Sequence, residues 1–489
     1  MVHLFRYSIV FVGIAGFFAN AQVETEAKRN IVFVLIDDQR YDALSITGHP
    51  YLETPKIDDL ARNGLLCENA FVTTSLCSPS RASILTGQYA HVHGVMDNGT
   101  LLNPDTPTFP QELQKAGYTT GFIGKWHMGG SSDEPRPGWH RWVSFRGQGV
   151  YNDPTFNIDG ERSKHEGYVT DLITDYAVDF VHENAERPFM LYMSHKAVHA
   201  PFTPAERHEG SYDDVTYRPP STYADTDENY EGKPRWVRNQ RPSWHGVDGY
   251  GLGDWDLQTF TREYAEAMRA VDDSVGRLKE ALREEGLLES TFFVYTSDNG
   301  FLFGEHGLVD KRTMHEPSIR VPLIVHCPEL IKPGRTDEIL TNIDFAPTFL
   351  DIAGVPVPGS MQGESFFELV QGEDVEWRDA FLYEYFWERS FPQTPTVLGV
   401  RTKTHKFMRY HGVYDRYELY NLEEDPEETN NILGDYLQGN EPGTLDNLIT
   451  RQAPKEVEDQ FLSMRRQLFE LLDQYGALRE PIWSAHGRP

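Results

Sequence analysis

Four short apolar runs, each broken off by polar or charged residues, limit what this chain can fold into more than any other feature. Ile31–Ile36 reads Ile-Val-Phe-Val-Leu-Ile and stops at Asp37-Asp38. Thr119–Ile123 stops at Gly124-Lys125-Trp126-His127, and Phe189–Met193 runs into a segment carrying His195 and His199. Thr291–Thr296 ends on Ser297-Asp298-Asn299-Gly300. Runs without polar alternation suit strands covered on both faces, the condition of a parallel sheet sandwiched by helices. Helical periodicity lies between them, clearest where Phe260, Tyr264, Met268, Val271, Val275, Leu278 and Leu282 recur before Gly286. Alternating strand and helix specifies an α/β domain. In such sheets ligands bind beyond the carboxyl ends of the strands, and there this chain has put carboxylates, a lysine and histidines.

From about Trp377 the pattern changes. Ala380–Phe386, Leu398–Thr402, His405–Tyr410 and Tyr417–Leu422 predict short strands, and Val457, Phe461, Met464, Leu468, Leu471 and Tyr475 line one face of a final helix. The fold class expected is α/β: a large, mostly parallel central sheet flanked by helices, with a smaller C-terminal antiparallel sheet plus helix. The N-terminus reads as an export signal. His3 and Arg6 precede the apolar stretch Tyr7–Phe18, and Ala19-Asn20-Ala21 fits a small-x-small cleavage site. The expected organisation is a signal peptide over 1–21, a catalytic α/β domain over 29–376 and a C-terminal α+β subdomain over 377–489. The expected location is the periplasm or the exterior. The apolar stretch is too short to span a bilayer and no later run is long enough, so stable membrane insertion is not expected.

Charge narrows the partners. With 45 basic against 75 acidic residues, a net of −30, the chain lacks the basic surplus of a nucleic-acid binder. An anionic substrate would need positive charge concentrated locally. The three cysteines, Cys67, Cys77 and Cys327, exclude a disulfide scaffold. Cys67 and Cys327 read as small buried hydrophobes.

Cys77 needs its own explanation. In Cys77-Ser78-Pro79-Ser80-Arg81, Pro79 suits a first helical turn that Ala82–Leu85 continues, which sets Cys77 at a helix N-terminus where anions are favoured. A thiolate phosphatase loop needs a longer gap between Cys and Arg than the three residues here. Taken alone, the pentapeptide also fits an ordinary buried cysteine. Asp37, Asp38, Asp298 and Asn299 add hard oxygen ligands from two strand ends, a set suited to Ca²⁺ or Mg²⁺ rather than zinc. Each pair alone would pass for a turn. Together, beside this cysteine motif, they argue against coincidence.

These residues resemble the type I sulfatases of the alkaline phosphatase superfamily. The likeness lies in Asp37-Asp38, Cys77–Arg81 followed by Ala82–Gly87, Gly124–His127, His199-Ala-Pro201, Asp298–Gly300, Lys311 and Asp344–Thr348, and extends from about Asn30 to about Asn431. It implies that Cys77 is oxidised to formylglycine (3-oxoalanine) by a formylglycine-generating or anaerobic sulfatase-maturating enzyme. One Ca²⁺ would then be held by Asp37, Asp38, Asp298, Asn299 and the modified Cys77. A hydrated formylglycine would attack sulfur in line. Arg81, Lys125 and Lys311 would neutralise developing charge. His199 would protonate the leaving alkoxide and His127 would deprotonate the second diol hydroxyl to release sulfate.

The substrate class expected is a sulfated carbohydrate: first an algal polysaccharide such as ulvan, then a glycosaminoglycan or mucin sugar 6-sulfate. Two segments, Arg136–Arg146 and Arg235–Trp244, mix Arg and Trp, and read either as sugar and sulfate contacts or as loop anchors. The alternatives are a phosphoester or phosphonate hydrolase of the same superfamily, and a non-catalytic glycan-binding protein with unmodified Cys77.

Overall fold

The computed structural model describes residues 28–250, 256–413, 417–436 and 445–480, so the predicted export signal lies outside the described residues. In chain order the first strands are β1 (Ile31–Ile36), β2 (Leu65–Phe71), β3 (Thr119–Lys125), β4 (Arg141–Phe145), β5 (Thr155–Ile158) and β6 (Glu161–Lys164). There follow β7 (Phe189–Ser194), β8 (Phe292–Ser297), a short ribbon of β9 (Leu302–Phe303) and β10 (Val309–Asp310), then β11 (Leu323–His326) and β12 (Gly334–Thr341). Apart from the ribbon they form one ten-stranded sheet in the order β12-β2-β11-β8-β1-β7-β3-β4-β5-β6. The centre, β8-β1-β7-β3-β4, is parallel throughout.

The missing polar alternation has the expected physical cause. Every residue of β1, β7 and β8 is buried. Along β1, Ile31, Phe33 and Leu35 enter one core while Val32, Val34 and Ile36 enter the other. Each such side chain contributes roughly 1.5–3 kcal/mol by leaving water. The helix Leu257–Glu284 covers the second core, and its start is fixed by Asp256, whose side chain accepts from Thr259 N. The helix Cys77–Thr86 sits over the first core through Ala82, Ile84 and Leu85. Among the described residues no helix is long and apolar enough to cross a membrane.

The C-terminal strands β13 (Ala380–Tyr385), β14 (Thr396–Thr402), β15 (His405–His411) and β16 (Tyr417–Asn421) form an antiparallel meander. Leu382, Leu398, Val400 and Phe407 meet Phe461, Met464, Leu468 and Leu472 of the helix Lys455–Tyr475. Leu472 takes the central place that the periodicity assigned to Leu471, because the drift of a 3.6-residue helix moves the seam by one position. The opposite face of the meander, with Phe381, Tyr383, Met408 and Tyr410, joins the first core of the large sheet. A buried ion cluster reinforces that junction: Lys406 lies 2.8 Å from Glu316 and 2.7 Å from Glu428, and Arg401 pairs with Glu316.

Candidate active site

β1, β3, β7 and β8 release their chains at one edge of the sheet, and the chemistry collects there. Cys77 begins a helix in which all ten residues are buried. Arg81, four residues on, shares its face. The Arg81 guanidinium donates from Nε to Asp298 at 2.8 Å and from Nη1 to Lys125 O and Ser194 Oγ, both at 2.7 Å. One side chain thereby ties the ends of β3, β7 and β8 to the helix Cys77–Thr86.

Cys77 Sγ lies 3.5 Å from Asp37 Oδ1 and 4.0 Å from Asp38 Oδ1. Asp37, Asp38 and Asp298 bring carboxylate oxygens within 4.8 Å of one another, all buried. Lys125 contacts Asp37, Lys311 contacts Asp38, and Asn299 Nδ2 donates to Asp38 Oδ1 at 2.7 Å. Asp38 and His127 sit at φ of 65° and 56°, a left-handed backbone tolerated at over-determined sites. Backbone bonds fix the corner: Asp37 N donates to Ala197 O at 3.0 Å and Val198 N to Asp37 O at 2.8 Å.

The two adjacent carboxyls are pushed apart. Burial works to raise Asp37, but Lys125, His199, Arg81 and Lys311 together hold it well below the usual range. Burial, with Asp37 and Asp298 beside it, lifts Asp38 to about 7 against the pull of Lys311. Burial raises the Cys77 thiol far above its ordinary value, against Lys125 and Lys311. An unmodified Cys77 is therefore a protonated thiol and a poor nucleophile. Burial, then Lys125, lowers both His127 and His199 and keeps the imidazoles neutral.

Buried Asp38 Oδ2 and Asn299 Oδ1 have no hydrogen-bond partner among the described residues. Polar atoms orphaned in this way imply an absent partner. Three carboxylates and an amide oxygen are hard donors, so the set fits a Ca²⁺-type cation. His199 Nε2 stands 3.8 Å from Asp38 Oδ2, and its Nδ1 is 2.6 Å from Ala200 O. His127 Nδ1 is likewise without a partner among the described residues.

Other residues fall away from this centre. His195 is fully buried against Ser274 Oγ at 3.1 Å, and His91 and His93 are bound to Glu384 and Ser83. Several side chains of the two Arg and Trp segments act as loop anchors, while Trp244 is 44% exposed. Trp142 and Trp236 are buried, and Trp139 packs on the core. Arg146 pairs with Asp133, Arg238 with Asp225 and Asp227, and Arg241 with Asp248. The cations in contact with the buried carboxylates at the strand ends are Arg81, Lys125 and Lys311. Two neighbours of the site were not singled out from the sequence. Lys196 lies between His195 and His199, where adjacency was the available signal. Gln148, whose side-chain oxygen contacts Lys125, sits in a loop that carries no pattern.

Comparison with known proteins gives the family. A family model described as Sulfatase matches residues 29–355, and one described as N-sulphoglucosamine sulphohydrolase, C-terminal, matches residues 304–458. An N-acetylglucosamine-6-O-sulfatase of Bacteroides thetaiotaomicron is 35% identical over 85% of this chain and 84% of its own. A goat (Capra hircus) N-acetylglucosamine-6-sulfatase is 31% identical over 82% and 79%. A solved structure of a protein in complex with its substrate D-glucosamine-2-N,6-O-disulfate superimposes with a TM-score of 0.82 at 32% identity, covering 92% of this chain and 98% of that one. With a buried cysteine, three carboxylates and three cations gathered at one sheet edge, and with this kinship over most of its length, the chain belongs to the sulfatase family and is a sulfuric ester hydrolase.

Proposed function

We propose that the protein hydrolyses the 6-O-sulfate of an N-acetylated or N-sulfated glucosamine unit in a host-type glycan, with a formylglycine made from Cys77 and one Ca²⁺. This takes the second of the substrate classes expected from the sequence ahead of algal ulvan. Its support is the kinship to enzymes named for glucosamine 6-sulfates. The single observation that carries the chemistry is the Cys77 Sγ position, 3.5 Å from Asp37 and enclosed by carboxylates that Arg81, Lys125 and Lys311 neutralise.

Asp37, Asp38, Asp298 and Asn299 would hold the cation, which would withdraw charge from the sulfuryl oxygens, while hydrated formylglycine would offer an oxygen nucleophile where the protonated thiol cannot. Lys125, Lys311 and Arg81 are donors fixed by buried contacts to carboxylates, so they stabilise transition-state charge with little reorganisation. His127 is neutral and can accept a proton at once. His199 faces the opposite need. The negative charge of a bound sulfate ester counteracts the shift that burial and the lysines impose, and lets the ring carry the proton for the departing sugar oxygen.

The test has two arms. The Cys77 peptide of the mature protein is expected to have lost hydrogen sulfide and gained one oxygen by mass. The kcat/KM on N-acetylglucosamine 6-sulfate is expected to exceed that on the matched 6-phosphate, and Cys77→Ala is expected to abolish turnover with the fold kept. A peptide mass of unmodified cysteine, or preference for the phosphate, rejects this reading.

A further inference from the structure

A protein with a net charge of −30 must gather positive charge to hold sulfate. Arg81, Lys125 and Lys311 do so while each touches a carboxylate of the cluster. Lys196 differs. It is 2% exposed. Among the described residues its ammonium meets only the face of Tyr151, 4.4 Å from the ring centroid, and no carboxylate. Cation–π attraction offsets only part of the cost of burying an ammonium.

The residue is nevertheless held firmly beside the reacting centre. Tyr151 donates from its hydroxyl to His199 O at 2.9 Å and stacks on Tyr168 at 5.8 Å. His199 N donates to Lys196 O at 3.0 Å, and Asp37 clasps the same turn through Ala197 and Val198. The charged groups acting on Lys196 are those of the site: burial and Lys125 lower it to about 8, against Asp37, Asp38 and Cys77. A rigidly mounted buried cation without an anion of its own, next to a nucleophile for sulfate esters, is a binding element waiting for its counterion.

We propose that Lys196 is a sulfate-recognition residue, its ammonium donating to an oxygen of the sulfuryl group at the catalytic centre. The proposal rests on the functional reading above, and the test separates the two. Inorganic sulfate is titrated calorimetrically into the full-length, Ca²⁺-loaded wild type, Lys196→Met and Lys196→Arg, and the Tm of each is measured without sulfate. Loss of one charge-assisted hydrogen bond is expected to weaken sulfate binding roughly ten- to hundredfold in Lys196→Met. The sulfate-free Tm is expected to hold or rise, because an uncompensated buried charge has gone, and Lys196→Arg is expected to restore binding to within a few-fold. Undiminished sulfate affinity in Lys196→Met overturns the proposal. So does a weakened affinity that comes with a lower sulfate-free Tm and is not restored by Lys196→Arg, which marks a packing role. A wild type that binds sulfate but cleaves no sulfate ester rejects the functional reading and leaves the Lys196 result standing.

Discussion

Two imidazoles that look alike in the sequence differ in their surroundings. His127 stands at a left-handed backbone position with Nδ1 unpartnered among the described residues, while His199 is turned so that Nε2 lies 3.8 Å from Asp38. If His199 protonates the leaving group, His199→Ala should depress turnover of sugar sulfates by ~10²–10⁴-fold. It should scarcely affect aryl sulfates, whose phenolates leave unaided. His127→Ala should instead slow sulfate release for both, giving a pre-steady-state burst of alcohol equal to the enzyme when substrate is in excess. The opposite pattern would exchange the two roles. Asp38 makes a second prediction at this scale. Its native value of about 7 lies above the ordinary 3.8, so in this window the metal-free native state keeps a proton that the unfolded chain has released. Stability from this group is therefore lost as pH rises from about 4 to about 7. The Tm of metal-free Asp38→Asn relative to metal-free wild type should climb across that range, and added Ca²⁺ should stabilise the wild type more than the variant. A Tm difference that does not vary with pH would show that Asp38 is not so perturbed.

At the scale of elements, the site is a consequence of where strands stop. β3 ends in Gly124-Lys125 and pairs in parallel with β7, Gly124 opposite Ser194. Gly124 has a φ of 123°, and a Cβ there would lie 1.7 Å from Ser194 O. No side-chain motion relieves a clash with backbone, so β3 and β7 would have to separate at the point that aims Lys125. Gly124→Ala is expected to cost more than about 4 kcal/mol, or to prevent folding, in urea denaturation. Gly286, beyond the helix Leu257–Glu284, also has positive φ, at 68°, but nothing lies within 4 Å of where a Cβ would stand. Gly286→Ala should therefore cost only the backbone term, roughly 1–2 kcal/mol. Equal losses in the two variants would mean that the close approach at Gly124 is not what its glycine serves.

Across the whole molecule, the large sheet and the meander share one core, and Glu384 N donates to Thr73 O at 2.9 Å, four residues before Cys77. The meander thus braces the segment that leads into the helix Cys77–Thr86. The order of residues along the chain was enough to specify the α/β class, the strand ends that meet at the site, the helix that Cys77 opens and the acidic residues gathered beside it. Each of these is written in local periodicity or in neighbouring residues: β1 has no polar alternation because both its faces are covered, and Asp37-Asp38 follows directly. The family resemblance already implied Arg81, Lys125 and Lys311; what only the folded chain showed is where the arginines of the two Arg and Trp segments go. Arg146, Arg238 and Arg241 look as suited to sulfate as Lys125, and only the fold shows that they pair with Asp133, Asp225 and Asp248, outside the Asp37, Asp38 and Asp298 cluster that Lys125 joins. Lys196 and Gln148 became visible for the same reason. Charge balance and burial depend on what the fold brings within a few ångströms from distant parts of the chain, and no local pattern encodes that.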